Sequence, residues 1–403
     1  MLINTAVILV AAASGILLFS PRLFNWTAWR AMVTPLASII GSGFLVLGPI
    51  LAYYYGMFAP IVMIALCVCA YCFGSAIRYN IQDLGDDKSN ARQRSRLTHD
   101  LEIVSSWALA LAYIVSVTYY LNLFGSFSVS LTRYDTEFAA RLVTTLIFVI
   151  ILLVGWLRGF KALEHLEYVS VVVKLAIIAG VITGLCFFFS GKLESSTLVA
   201  NMPRIDGWTA ATLAFGLIIT VQGFETSRYL GETYDAETRI KSMKLAQWFS
   251  SAIYLVYTVL LTYSFAPENL ELSETAIIGM MEIVAPVLPV LLVAAALAAQ
   301  FSAAIADTSG SGGLFVELTK GKISSRHAYA LLTFSGLLIT WSANIFEVIS
   351  YASRAFAVYY GLQCVIASLS AHRAHGFSPR TVFFALLAVL AAAIFAFGLP
   401  VEG

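Results

Sequence analysis

Charged residues make up only 12% of this 403-residue chain, against 60% hydrophobic ones. Soluble globular domains carry about twice that share of charge. What charge there is lies in short segments between apolar runs of roughly 20 residues, the length that spans a bilayer. No connection is long enough for a separate soluble domain. The net charge is +1, and no basic cluster marks a nucleic-acid surface. Catalytic signatures are missing too. Neither Gly-x-Ser-Gly nor His-Glu-x-x-His occurs, and no glycine loop suited to phosphate is present. Intramembrane proteolysis and nucleotide-driven pumping therefore lack their usual residues, and no enzyme activity, catalytic residue, metal ligand or cofactor is expected. Cysteine is sparse, at five residues. Cys67, Cys69 and Cys72 lie in an apolar run without a histidine or carboxylate, which suits packing better than metal binding.

The apolar runs read as an all-α polytopic membrane protein of about 12 transmembrane helices, in the plasma (cytoplasmic) membrane. A first span covers residues 3–20; a cleaved signal is the alternative, although a basic leading segment is missing. Eleven more follow at about 33–54, 57–78, 102–129, 140–157, 166–189, 209–231, 245–265, 285–317, 328–344, 346–370 and 380–399. Basic residues alternate with them. One set of connections holds Arg22 and Arg30, Lys88 to Arg96, Arg158 and Lys161, Arg239 to Lys244, Lys320 to Arg326, and Arg373 and Arg380. The other set holds only Arg133, Arg141, Lys192 and Arg204, beside acidic Glu268, Glu271 and Glu274. The positive-inside rule places the first set in the cytoplasm and both termini outside.

Two spans are interrupted. Gly41, Ser42 and Gly43 break the run at 33–54, and Thr220-Val221-Gln222-Gly223-Phe224-Glu225 breaks the run at 209–231. Glycine and serine weaken a helix, and lipid tolerates a broken backbone only beside a protein-lined cavity. Five spans separate one break from the other, so the second group of five crosses the membrane inverted. The expected architecture is a five-plus-five inverted repeat with discontinuous first and sixth core helices and a midplane site. It divides into an extra helix at 1–29, repeats at 30–190 and 191–371, and a last helix at 372–403.

A broken helix offers free N–H groups where its second half begins and free carbonyls where its first half ends. Gly41, Ser42 and Gly43 can present N–H groups to a carboxylate, and carbonyls near Ile39 and Gln222 can take an amino group. Close helix packing is the competing explanation of the glycines. Ser38 and Phe224 adjoin the breaks, and Tyr113 and Trp107 can wall the cavity. Ionisable residues inside spans are costly and point to function. Counting about 1.5 Å per residue from the inner ends puts Lys174 ~12 Å, Glu225 ~9 Å and Asp307 ~15 Å deep, in one layer. They form a candidate proton-linked cluster, or a structural ion pair. Arg354, in the outer half of its span, is read as attracting an acidic substrate group, pairing with Glu347 or meeting a lipid headgroup.

Ile39 to Leu45 with Gly48-Pro49, Gly223-Phe224-Glu225 with Gly231-Glu232 and Arg239, and Arg158-Gly159-Phe160-Lys161 leading to Lys174-Leu175 are the most informative motifs. In this order and at these spans they resemble the amino acid–polyamine–organocation (APC) superfamily over about residues 30–370. The resemblance implies a secondary active transporter of amino acids or related small amines, working by alternating access, proton-coupled or an exchanger. It also implies that Lys174 takes the place a sodium ion holds in sodium-coupled members. A sodium symporter of another small solute stays open, with Ser302, Thr308, Ser309 and Ser311 as candidate ligands. So does a non-transporting receptor or subunit. The expected partners are a small-molecule substrate, a proton or less readily sodium, and membrane lipid, but no nucleic acid.

Overall fold

The computed structural model describes residues 2–41, 43–84, 96–157, 160–230, 234–266, 273 and 275–400. Ser42, Lys88, Arg92, Arg94, Arg158, Gly159, Gly231, Glu232, Glu268, Glu271 and Glu274, used above, lie outside the described residues. The described residues form helices and no strands. In order these are α1 (Leu2–Leu18), α2 (Pro21–Phe24), α3 (Thr27–Ile39), α4 (Gly43–Tyr55), α5 (Ala59–Leu84), α6 (Arg96–Val129), α7 (Glu137–Leu157) and α8 (Phe160–Glu194). Then come α9 (Gly207–Gly216), 3-10 turns at Ile218–Val221 and Phe224–Tyr229, α10 (Ala236–Ser264), α11 (Ala276–Val284), α12 (Leu288–Leu318), α13 (Ser325–Ser342), α14 (Ile345–His375) and α15 (Pro379–Phe397).

Among the described residues, eight helical stretches are long and apolar enough to cross a membrane. The breaks account for part of the difference from the twelve expected crossings; α1, with 17 residues, and α13 also fall outside the eight. Halved spans leave helices too short to qualify alone, and α4 runs into α5 through a short 3-10 turn at Gly56–Phe58. Boundaries follow local chemistry. Asp235 caps α10 by accepting from the Thr238 N–H at 2.7 Å. Asn344 and Glu347 close a reciprocal capping box on α14. The short helix α11 was not expected. Ala285, which precedes Pro286, takes an extended backbone (φ −163°, ψ 135°) that separates α11 from α12.

The packing has the symmetry expected of two inverted halves. Exchanging α5–α8 for α10, α12, α13 and α14 turns several of the larger contacts into one another. Thus α12 packs on α8 and α6 on α14; α6 packs on α7 and α12 on α13; α5 packs on α14 and α10 on α8. At the centre, α3 lies against the turn Phe224–Tyr229 and α4 against Ile218–Val221. The first half of one broken span therefore meets the second half of the other, as two antiparallel spans must.

The segment between α8 and α9 is tied to the ends of α4 and α10. Met57 N–H donates to the Asn201 carbonyl at 2.8 Å, Arg204 N–H to the Tyr54 carbonyl at 2.8 Å, and Asn201 Nδ2 to the Phe265 carbonyl at 2.9 Å. Arg228 pairs with Glu102 at 2.5 Å and also bonds Gln363, tying the second broken span to α6 and α14.

Candidate functional site

The two breaks pack on each other. α3 stops at Ile39 and α4 begins at Gly43, at the expected place. The second break is wider than expected. The α-helix ends at Gly216, and two 3-10 turns replace the rest of the span. Ser353 of α14 explains the early stop: its Oγ donates to the Gly216 carbonyl at 2.6 Å and accepts from the Ile219 N–H at 3.2 Å. One hydroxyl thus stands in for the lost helical bonds.

Both glycines mark close approach. A Cβ on Gly43 would lie 2.6 Å from Thr220, and one on Gly223 would lie 2.6 Å from Ile39 N and Ser38. Gly223 also has φ +115°, open essentially to glycine alone. Gly41 is buried, its Cβ position 3.0 Å from Ala303. The N–H groups at the start of α4 have no acceptor within their own helix, but they face the other break and not an open chamber.

Hydroxyl groups occupy the carbonyls expected to take an amino group. Tyr254 Oη lies 2.5 Å from the Ile39 carbonyl and 3.1 Å from that of Thr220. Gln222 donates from Nε2 to Tyr120 Oη at 3.1 Å. Tyr360 Oη sits 2.9 Å from Glu225 Oε2 and 3.3 Å from Gln222 Oε1, and its ring stacks on Phe224 at 5.3 Å. Glu225 also accepts the Gly223 N–H at 3.0 Å, while its Oε1 has no hydrogen-bond partner. Tyr113 is fully buried, edge-on to Phe356, with its Oη unpartnered. Beside Ile39 and Tyr254 a cavity of about 10 Å³ remains, lined also by Val221, Gln247 and Ser250. That is room for roughly one water.

The three intramembrane charges do not pair directly. Lys174 donates to the Ala37 carbonyl at 2.9 Å, the Leu36 carbonyl at 3.4 Å and Ser302 Oγ at 3.1 Å. No described hydrogen bond joins it to Glu225 or Asp307. Asp307 takes Ser38 Oγ at 3.1 Å and Ser116 Oγ at 2.5 Å. All three are buried, and the described hydrogen bonds of each go to hydroxyls or backbone. No described hydrogen bond joins Arg354 to Glu347. The guanidinium donates from Nε and Nη2 to the Gly398 carbonyl at 3.3 and 2.6 Å, holding the chain after α15 against α9. Trp107 turns edge-on to Phe315.

Ser116, Tyr120, Tyr254, Ser353 and Tyr360 escaped the sequence reading. Each is a common polar residue in an apolar helix, and only its partner distinguishes it. Ser116 and Tyr120 stand four apart on α6 and share a face, which was the one available signal.

Two broken antiparallel helices packed between two related helical halves are the architecture of a membrane transporter. The family model described as an APC superfamily transporter matches residues 21–398. The chain belongs to the APC superfamily and is an integral membrane protein. An uncharacterized protein of Aquifex aeolicus (strain VF5) is 41% identical over 379 residues, covering 92% of this chain and 91% of the relative. Among solved structures, the fold is similar to that of Mhp1, a nucleobase-cation-symport-1 family transporter in a closed conformation with bromovinylhydantoin bound. The TM-score is 0.54 at 12% identity, covering 93% of this chain and 94% of that one. It is also similar to a Na+-coupled sialic acid symporter in a substrate-bound outward-open state. There the TM-score is 0.56 at 13% identity, covering 100% and 99% of the two chains.

Proposed function

We propose that this transporter is a secondary active carrier of amino acids or related small amine-carboxylates, working by alternating access and driven by protons or by exchange. The observation that carries this reading is the setting of Lys174. Its ammonium sits on two carbonyls at the end of α3 and on Ser302 of α12. A cage of carbonyl and hydroxyl oxygens suits a monovalent cation, and here a side chain supplies the cation. The substrate class rests on the free N–H groups that open α4, on the carbonyls now held by Tyr254, and on Gln222 beside them. Repeats at 30–190 and 191–371 are part of this reading.

Sodium symport is the second reading. One fold neighbour is described as Na+-coupled, and Thr308 Oγ1 and Ser309 Oγ are buried without partners on α12. Reconstituted uptake separates the two. Proteoliposomes holding the full chain are offered a panel of radiolabelled amino acids under an imposed pH gradient, with sodium absent or present. Saturable accumulation without sodium, lost in Lys174→Ala, is expected. Uptake that requires sodium in both proteins would replace this reading with the second. No uptake or exchange of any amino acid would favour a receptor or another solute.

A further inference from the structure

We propose that Asp307 is the proton carrier and holds its proton in this conformation, while Lys174 is a fixed charge; the proposal rests on the proton-coupled reading above. Hydrogen accounting separates the two residues. An ammonium has three N–H donors, and Lys174 Nζ faces three acceptors, the carbonyls of Leu36 and Ala37 and Ser302 Oγ. Ser302 gives its own hydrogen to the Ala299 carbonyl at 3.0 Å, so it can only accept from Lys174. A neutral amine would turn its lone pair toward one of these oxygens. The site is built for the charged form.

Asp307 has the opposite setting. It is 0% exposed, and its described partners are two neutral hydroxyls. Each brings one hydrogen, and that of Ser116 has a second acceptor in the Tyr113 carbonyl at 3.2 Å. An ionised carboxylate so placed would be buried with too few donors, which is strongly unfavourable. A carboxylic acid uses every group once. Its O–H on Oδ2 donates to Ser116 Oγ, Ser116 donates to the Tyr113 carbonyl, and Ser38 donates to Oδ1. The ionisable groups facing it are Tyr113 and Tyr120 on α6, Glu225 at the second break, and Glu167 on α8; Lys174, also on α8, turns to Ser302. Of the remaining neighbours of α12, α13 brings Tyr329 over Gly312.

The position couples protonation to opening. Ser38 ends α3, half of a broken span, whereas Ser116 and Asp307 belong to α6 and α12, which pack along each other. Tilting α3 away removes the Ser38 donor and admits water. The Asp307 O–H bond then breaks, its proton passes to water on the open side, and the carboxylate is solvated.

Infrared spectroscopy of the full-length protein in lipid tests this without knowing the substrate. At neutral pH a protonated-carboxyl C=O band that shifts in D2O is expected. It is lost in Asp307→Asn and kept in Glu225→Gln. An unchanged band in Asp307→Asn overturns the proposal. Should that variant not fold, Ser116→Ala answers the same question: losing the acceptor must move the band, and an unmoved band overturns it. In proteoliposomes, Asp307→Asn is expected to exchange substrate but to lose accumulation driven by the pH gradient. Gradient-driven accumulation by Asp307→Asn refutes the carrier role whatever the spectra show. A wild-type band that depends on Asp307, together with strictly sodium-driven uptake, overturns the carrier role through the functional reading and not through the protonation state.

Discussion

Gly223→Ala is the sharpest test of how the two breaks meet. The substitution acts twice at one atom. At φ +115° and ψ −14° the backbone lies where a residue with a Cβ is strained, at a cost of about 1–3 kcal/mol. The new methyl would also lie 2.6 Å from Ile39 N, Ser38 C and Ser38 Oγ. Overpacking of that kind costs about 1–3 kcal/mol. Together the loss is about 2–6 kcal/mol, a large part of the roughly 5–15 kcal/mol that holds a typical fold. Two of the three atoms are backbone, so Ser38→Ala should not rescue the variant. Gly191→Ala is the control, because a Cβ there meets nothing within 4 Å on α8. It should be neutral or stabilising by about 0.5–1 kcal/mol. Thermal unfolding of the purified proteins, followed by size-exclusion chromatography, reads all four. If Gly223→Ala melts with the wild type, the close approach of the breaks is wrong. If Ser38→Ala restores it, the clash is with the side chain and not with the backbone of α3.

Three further outcomes follow from single contacts. Glu102→Gln should destabilise by about 3–5 kcal/mol, since it leaves the guanidinium of Arg228, only 9% exposed, without its counter-charge. Replacing both partners with apolar residues should cost less than either single change in a double-mutant cycle, and additive losses would show that the pair is not coupled. Tyr254→Phe leaves the Ile39 and Thr220 carbonyls without their donor, a loss of about 1–3 kcal/mol in unfolding; a substrate ammonium that binds there should then recover more stability than in wild type. Thr238 donates to exposed Asp235, and that holds the carboxyl below its usual range. A folded value depressed in this way means that the cap contributes above the unfolded value and loses its contribution as pH falls through the folded one. Asp235→Asn, which keeps the acceptor, should flatten melting temperature against acid pH.

The fold was legible because lipid makes its rules one-sided. Runs of apolar residues, the phase of basic loops and two glycine-marked interruptions left few alternatives to an inverted helical bundle. The first break was placed within a residue because Gly41 and Gly43 carry it directly. The second was placed too late, because its cause is Ser353, which lies 137 residues from the carbonyl it holds. Periodicity carries no trace of such a partner. The site was legible in its charges and not in its pairings. Depth counting put Lys174, Glu225 and Asp307 in one layer, but depth says nothing of azimuth. The ammonium faces α3 and Ser302, while Asp307 faces α6 and Ser38. Arg354 shows the same limit. Its acceptor is a backbone carbonyl beyond the last helix, which no side-chain pattern can announce.

The N-terminal helix α1 packs along α8. Gly15 of α1 faces Ala176 on α8, Ala11 approaches Gly180, and Val7 covers Gly180 and Gly184. Residue numbers fall along one helix as they rise along the other, so the two run antiparallel. The residues of α8 that make the seam are small and four apart, the spacing that lets helices in lipid pack closely. Val7 is 0% exposed as a result. With its basic lead-in placed in the cytoplasm, α8 rises outward, and α1 must then begin outside. On the other half of the molecule α15 lies along α14, the counterpart of α8. Each fifth core helix thus has a partner outside its own repeat, one supplied before the first repeat and one after the second. The small residues of this seam owe their close packing to α1. In the chain α1 fills that groove from a face of α8 other than the one that carries Lys174, whose ammonium turns to α3 and α12.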